Sequence, residues 1–123
     1  MAVPWNPARS IRVDTLLKEY TVESPCAEVA RRLLPIAREE TPDSAGVIIR
    51  ANTGQARYPV VNPRGVRLFW FYHVAVLVQD HCVDALTGTP GTHRENYFEM
   101  HFLNAPGDLR FDEADPDLKD ACL

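Results

Sequence analysis

No two cysteines in this chain stand close enough to form a CxxC pair; its three, Cys26, Cys82 and Cys122, are scattered. An odd number so spaced builds neither a disulfide framework nor a structural zinc site, and no metal or cofactor is expected. A run of Lys or Arg is equally absent. The nearest approach is the pair Arg31-Arg32, and the formal net charge is -4. That balance excludes a nucleic-acid binder driven by phosphate neutralisation. No apolar stretch approaches the length of a membrane span, so no membrane partner is expected. The opening "MAVPWNPARS" lacks the apolar core of a secretory signal peptide. The expected setting is a cytoplasm, reached directly or by delivery as part of something larger.

What remains is the make-up of an ordinary globular chain. A length of 123 residues with 46% hydrophobic and 24% charged residues suits a single domain, residues 1–123, able to build a core unaided. Pro4 and Pro7 read as an irregular lead-in. Ile11, Leu16, Leu17 and Tyr20 in "IRVDTLLKEY" have roughly helical spacing. The stretch "ESPCAEVARRLLPIAREE" is the clearest helix. Ser24 is a suitable N-cap, Pro25 fits the first helical position, and Cys26, Val29, Ala30, Leu33 and Leu34 share a face. Pro35 should kink or end it, and "TPDSAG" closes the helical region.

Beyond Gly46 the chain turns to β-branched and aromatic residues: "VIIRA", "ARYPVV" and "VRLFWFYHVAVLV", with "CVDAL" continuing the sheet and "TGTPG" ending it. In "THRENYFEMHF", Thr92 and Glu95 have the spacing of a capping box, which favours a helix over a strand there. "LRF" is a candidate last strand. The acidic tail "DEADPDLKD" reads as solvated or partly ordered. Helices first and an antiparallel sheet after them make an α+β fold.

Three residues carry chemistry together that none carries alone. Cys26 opens a helix, where free N–H groups and the macrodipole favour a thiolate and its own N–H faces a developing oxyanion. Taken singly it is as readily a small core residue. His73 starts the apolar run Val74 to Val78, and Asp84 sits in the return strand of the hairpin. An imidazole to take the thiol proton and a carboxylate to orient the imidazole are what thiol acyl transfer requires. A two-residue turn, Gln79-Asp80, puts Asp84 on the same sheet face as His73, diagonal to it. A three-residue turn would send it to the other face.

Other ionisable groups have plainer readings. His81 lies at the turn and is expected to face solvent, while His93 and His101 flank the possible helix without ligand spacing. Glu23 and Glu28 bracket Cys26 and would oppose a thiolate, so they read as capping or surface charges. Trp70, Phe71 and Tyr72 read as strand packing, some of them lining a cleft.

"SPCAEVARRLL" followed by "FYHVAVLVQDHCVDALTG" resembles the small papain-like fold domains of bacterial polymorphic toxins and related effectors. Their pattern is a cysteine opening the core helix, a "YHVAV" strand, then an aspartate in a "VDALTG"-like segment. The resemblance implies a papain-like core in which Cys26 is nucleophile, His73 general base and acid, and Asp84 orienter. It implies a hydrolase acting on amides of a protein substrate through a thioester: glutamine deamidase, cysteine protease or transglutaminase-like acyltransferase. It also implies a secreted or delivered toxin or effector and a cognate immunity protein as partner. One departure favours deamidation over proteolysis. Papain-type proteases place a glutamine ahead of the cysteine, whereas Gln55 and Gln79 both follow it. Asn6, Thr21, Ser24 or a backbone N–H is left as the second oxyanion donor. The reading outside enzymology is a binding module with a structural cysteine.

Overall fold

A computed structural model describes residues 2–20, 26–52, 58–62, 67–70, 72–114 and 118. The chain starts helical earlier than its apolar spacing suggests. Helix α1 spans Pro7–Glu19, with Pro7 at its start and the Asn6 side chain accepting from the Ala8 N–H at 2.9 Å. Pro7 belongs to the helix rather than to a lead-in because the first helical position needs no donor. Val13, Leu16 and Leu17 are buried, whereas Ile11 points to solvent.

Helix α2 spans Cys26–Glu40 and continues five residues past Pro35. Of the two outcomes expected at Pro35, a kink or an end, the end does not occur. A mid-helix proline costs about 3 kcal/mol, but Leu33, Leu34 and Ala37 are all buried around it. Each fully buried Leu returns about 1.5–3 kcal/mol, enough to hold the turn against the sheet. The proposed caps Ser24 and Pro25 lie outside the described residues. After α2, the Ser44 hydroxyl donates to the Thr41 carbonyl at 2.8 Å and closes the turn into the sheet.

Strands β1 (Ala45–Ala51), β4 (His73–Val78), β5 (His81–Val83), β6 (Thr92–His93) and β7 (Leu109–Glu113) form an antiparallel sheet in the order β6-β5-β4-β1-β7. Strands β2 (Val60–Val61) and β3 (Leu68–Phe69) pair separately. The apolar run "VRLFWFYHVAVLV" is therefore not one strand: it breaks between β3 and β4, at Trp70. Helix α3 spans Arg94–His101, and a 3-10 turn, Pro106–Asp108, leads into β7. His93, not Thr92, caps α3, its ring accepting from the Glu95 N–H. The Thr92 hydroxyl is instead engaged with His101 Nε2, 2.8 Å away.

Alternation along β4 sorts two cores. Val74, Val76 and Val78 face α1 and α2, while Ala75 joins Ile49, Cys82, Tyr97 and Phe102 on the side of α3. Leu118, inside the acidic tail, is buried in the α1–α2 core, so of the two readings of that end the partly ordered one holds at this residue. Its methyls occupy the space a Cβ on Gly46 would take, the nearest at 2.2 Å. The fold is α+β. Among the described residues no helix is long and apolar enough to cross a membrane, and no His, Cys, Asp and Glu cluster suits a metal ion.

Candidate active site

The site begins at a turn. Gln79 and Asp80 both have positive φ, 48° and 64°, the left-handed pair that a two-residue hairpin with the right twist needs. Val78 faces His81 and Val76 faces Val83, so the register is in phase. Asp84 follows directly on β5 and lies on the His73 side of the sheet. His73 Nε2 stands 2.8 Å from Asp84 Oδ2, both groups buried.

Asp84 is not a strand residue, as the sequence suggested, but the residue that ends one. Its Oδ1 accepts from the Leu86 and Thr87 N–H groups, each at 2.9 Å, an aspartate turn that folds the chain back. Its own N–H donates to Thr87 Oγ1 at 3.1 Å, and Gly88, at φ 71°, closes the loop onto the Asp84 carbonyl. The Tyr97 hydroxyl donates to Oδ2 as well. Burial pushes the carboxyl pKa up, but His73, Tyr97 and the Thr87 N–H together hold it below its ordinary value. Asp84 is thus an anion held in place by hydrogen bonds to both of its oxygens.

His73 is enclosed. The Trp70 ring stacks on the imidazole and Phe102 meets it edge-on, with ring centroids 6.3 Å apart. Burial works against its positive charge, yet Asp84 and Cys26 prevail and raise its pKa to about 9. Its second ring nitrogen, Nδ1, is buried without a hydrogen-bond partner. Cys26 is the other group that acts on the imidazole, thiol and ring each shifting the other's titration.

Cys26 is the first residue of α2 and only half-buried. The Val74 N–H donates to its Sγ at 3.3 Å, so adjacent residues of β4 supply both the imidazole and a donor to sulfur. Burial pushes the thiol up, but His73 and the Val74 and Ala27 N–H groups bring its pKa below the usual value. The three candidates thus converge: sulfur at a helix start, imidazole beside it, carboxylate behind.

The remaining candidates do not join them. His81 is buried rather than solvent-facing; its Nδ1 donates to the Gln79 carbonyl at 2.8 Å, tying the ring to the turn. His101 Nε2 lies 2.8 Å from Thr92 Oγ1. Glu28 is exposed, as a surface charge should be. Asn6 lies against Glu40, at the opposite end of α2 from Cys26, so it is no oxyanion donor in this arrangement. The Gln79 amide is bound to Thr41 Oγ1 at the hairpin tip, the opposite end of β4 from His73. Thr21, Glu23, Ser24, Gln55 and Phe71 lie outside the described residues. Tyr97 and Phe102 carry no signal in the sequence: Tyr97 is one aromatic on a weakly amphipathic helix, and its contact with Asp84 arises only from tertiary packing. Comparison with protein-family models, with curated proteins and with solved structures finds no match.

Proposed function

We propose that the chain is a thiol-dependent amidohydrolase with a papain-like core, a protein glutamine deamidase of the bacterial toxin or effector kind. The observation that carries this is the orientation of His73. One ring nitrogen is fixed on a buried carboxylate while the other is left unpartnered beside a thiol of lowered pKa. A histidine serving packing alone would gain from a partner on that second nitrogen, since buried polar groups are ordinarily paired.

In the proposed reaction Cys26 attacks the carboxamide carbon as thiolate. The carbonyl oxygen becomes an oxyanion facing the N–H groups at the start of α2, with the Cys26 N–H as first donor. Imidazolium gives its proton to the departing ammonia, leaving a thioester. Water, deprotonated by the now neutral His73, then attacks that thioester and releases glutamate and the thiol. Asp84 stays ionised throughout, holding the ring and balancing its charge.

Intact-mass measurement of candidate target proteins, incubated with the parent and with Cys26→Ala, tests the reading. The small mass gain of an amide becoming an acid, with an unbroken target chain and released ammonia, is expected from the parent only. Cleaved fragments identify a protease and amine incorporation an acyltransferase, and either overturns deamidation while keeping the triad. Iodoacetamide tests the triad itself: Cys26 should alkylate at neutral pH at least ten times faster than in His73→Ala, where the thiol returns toward its ordinary pKa. Equal rates would reduce Cys26 to a core residue and leave a binding module.

A further inference from the structure

Asp84 Oδ2 receives two donors, His73 Nε2 from β4 and the Tyr97 hydroxyl from α3. Oδ1 receives two backbone N–H groups. A carboxylate offers about four lone-pair directions, so every one of them is filled. Tyr97 itself is wholly buried, packed against Phe98, Phe102 and Phe111, and its ring has no freedom to turn the hydroxyl elsewhere.

We infer that Tyr97 is a positioning residue for the base, sharing Asp84 Oδ2 with His73 so that the carboxylate holds the imidazole without drawing all its charge onto that one N–H. This rests on the deamidase reading and deepens it. A carboxylate satisfied by His73 alone stabilises imidazolium more strongly, and a more stable imidazolium is a poorer acid toward departing ammonia. A second strong donor on the same oxygen tempers that attraction. The phenol makes no contact with the reacting atoms; it acts through Asp84.

The groups facing this pair are few. Cys26 meets the imidazole from α2; Cys82 on β5 and His101 on α3 feel the Asp84 charge, and Arg94 on α3 acts on Cys82. Cys26 and Cys82 act on the phenol as well, and the His101 ring lies 5.6 Å from the Tyr97 ring between centroids; Tyr97→Phe and the fluorinated form both keep that ring, so opposite shifts of the imidazole titration in the two read the hydroxyl's effect.

The test follows the His73 ring by NMR across pH in the full chain, in Tyr97→Phe and in a form carrying 2,3-difluorotyrosine at position 97. Losing the hydroxyl should raise the His73 pKa by roughly half to one unit. The fluorinated phenol, a stronger donor of unchanged shape, should lower it. In turnover, Tyr97→Phe should reduce kcat several-fold with KM unchanged. An imidazole titration that stays put, or moves the same way in both forms, overturns the inference and leaves Tyr97 as packing. The fluorinated form keeps the ring, so the test survives if the phenylalanine variant does not fold. The titration is measured without turnover, so failure of the deamidase reading shows separately, as absent activity alongside opposite pKa shifts.

Discussion

The Trp70 indole lies flat on the His73 imidazole, with ring centroids 4.4 Å apart and planes within 13° of parallel. An aromatic face against an imidazolium is attractive by about 0.5–2 kcal/mol, more where water is excluded. It also keeps water off the His73–Asp84 hydrogen bond, whose strength depends on a dry setting. Trp70→Ala should therefore weaken the imidazolium and slow Cys26 alkylation at neutral pH several-fold, while Trp70→Phe retains most of the rate. Stopped-flow alkylation of the three proteins decides it; an alanine variant that reacts as fast as the parent removes the shielding role.

Stability against pH should reveal the thiol and imidazole as a pair. His73 titrates at about 9 in the fold against 6.5 ordinarily, so its contribution is full below 6.5 and is lost as pH rises through about 9. Cys26, lowered in the fold, contributes in the opposite sense: its share is present above the ordinary thiol value and fades as pH falls through the folded one. Wherever the folded thiol is ionised and the unfolded one is not, the folded ion pair and the unfolded neutral pair hold the same number of protons, and the slopes cancel. Cys26→Ala leaves His73 unopposed. Its unfolding free energy in urea should fall from pH 6.5 up to the lower His73 pKa that Asp84 sustains alone, with a slope of at most about 1.4 kcal/mol per pH unit, and the further change Asp84→Asn should flatten it. Matching slopes in parent and Cys26→Ala would mean that the two groups do not form an ion pair.

The hairpin tip stores strain that a substitution can remove. Asp80 sits at φ 64°, where a side chain is tolerated and glycine is at ease. Its carbonyl accepts from the Arg94 N–H at 2.8 Å, a bond that glycine keeps. Asp80→Gly should raise stability by about 0.5–1 kcal/mol with the His73–Asp84 pair intact. A β-branched residue there, such as Asp80→Ile, should lower it. Thermal unfolding of both variants gives the sign; a less stable glycine variant would mean that the Asp80 side chain contributes more than its backbone costs.

Much of the site was legible because its pieces are local. A cysteine at the start of an amphipathic helix, a histidine at the head of an apolar strand and an aspartate six residues past its end can all be placed by period and turn length. The sequence left two turn lengths open and the triad required the shorter; the two-residue turn Gln79-Asp80 sets the in-phase register that joins His73 to Asp84. Less legible were features fixed by contacts far apart in the chain. Pro35 stays inside α2 because the sheet holds the helix there, which no local rule anticipates. His81, polar and next to a turn, is buried because its ring bonds the turn carbonyl and packs against His93, 5.4 Å away between centroids. The break after β3 depends on Val60 and Val61 pairing with it, and Tyr97 acquires meaning only when α3 lies across the sheet.

Gly46 and Leu118 carry one further consequence. Because the leucine methyls rest where a side chain at position 46 would stand, Gly46→Ala should cost about 1–3 kcal/mol by overpacking, and Leu118→Ala about 2–5 kcal/mol by leaving a hole. The double change should cost less than the two added together, since the new methyl fills part of the vacated space; strict additivity in denaturant melts would mean the two residues do not touch. Position 118 thus acts as a peg seated in the back of the sheet, beneath the same strands that hold the base. A shortened version trimmed ahead of that peg would lose part of its foundation, and its lowered activity would say nothing about the acidic residues removed with it.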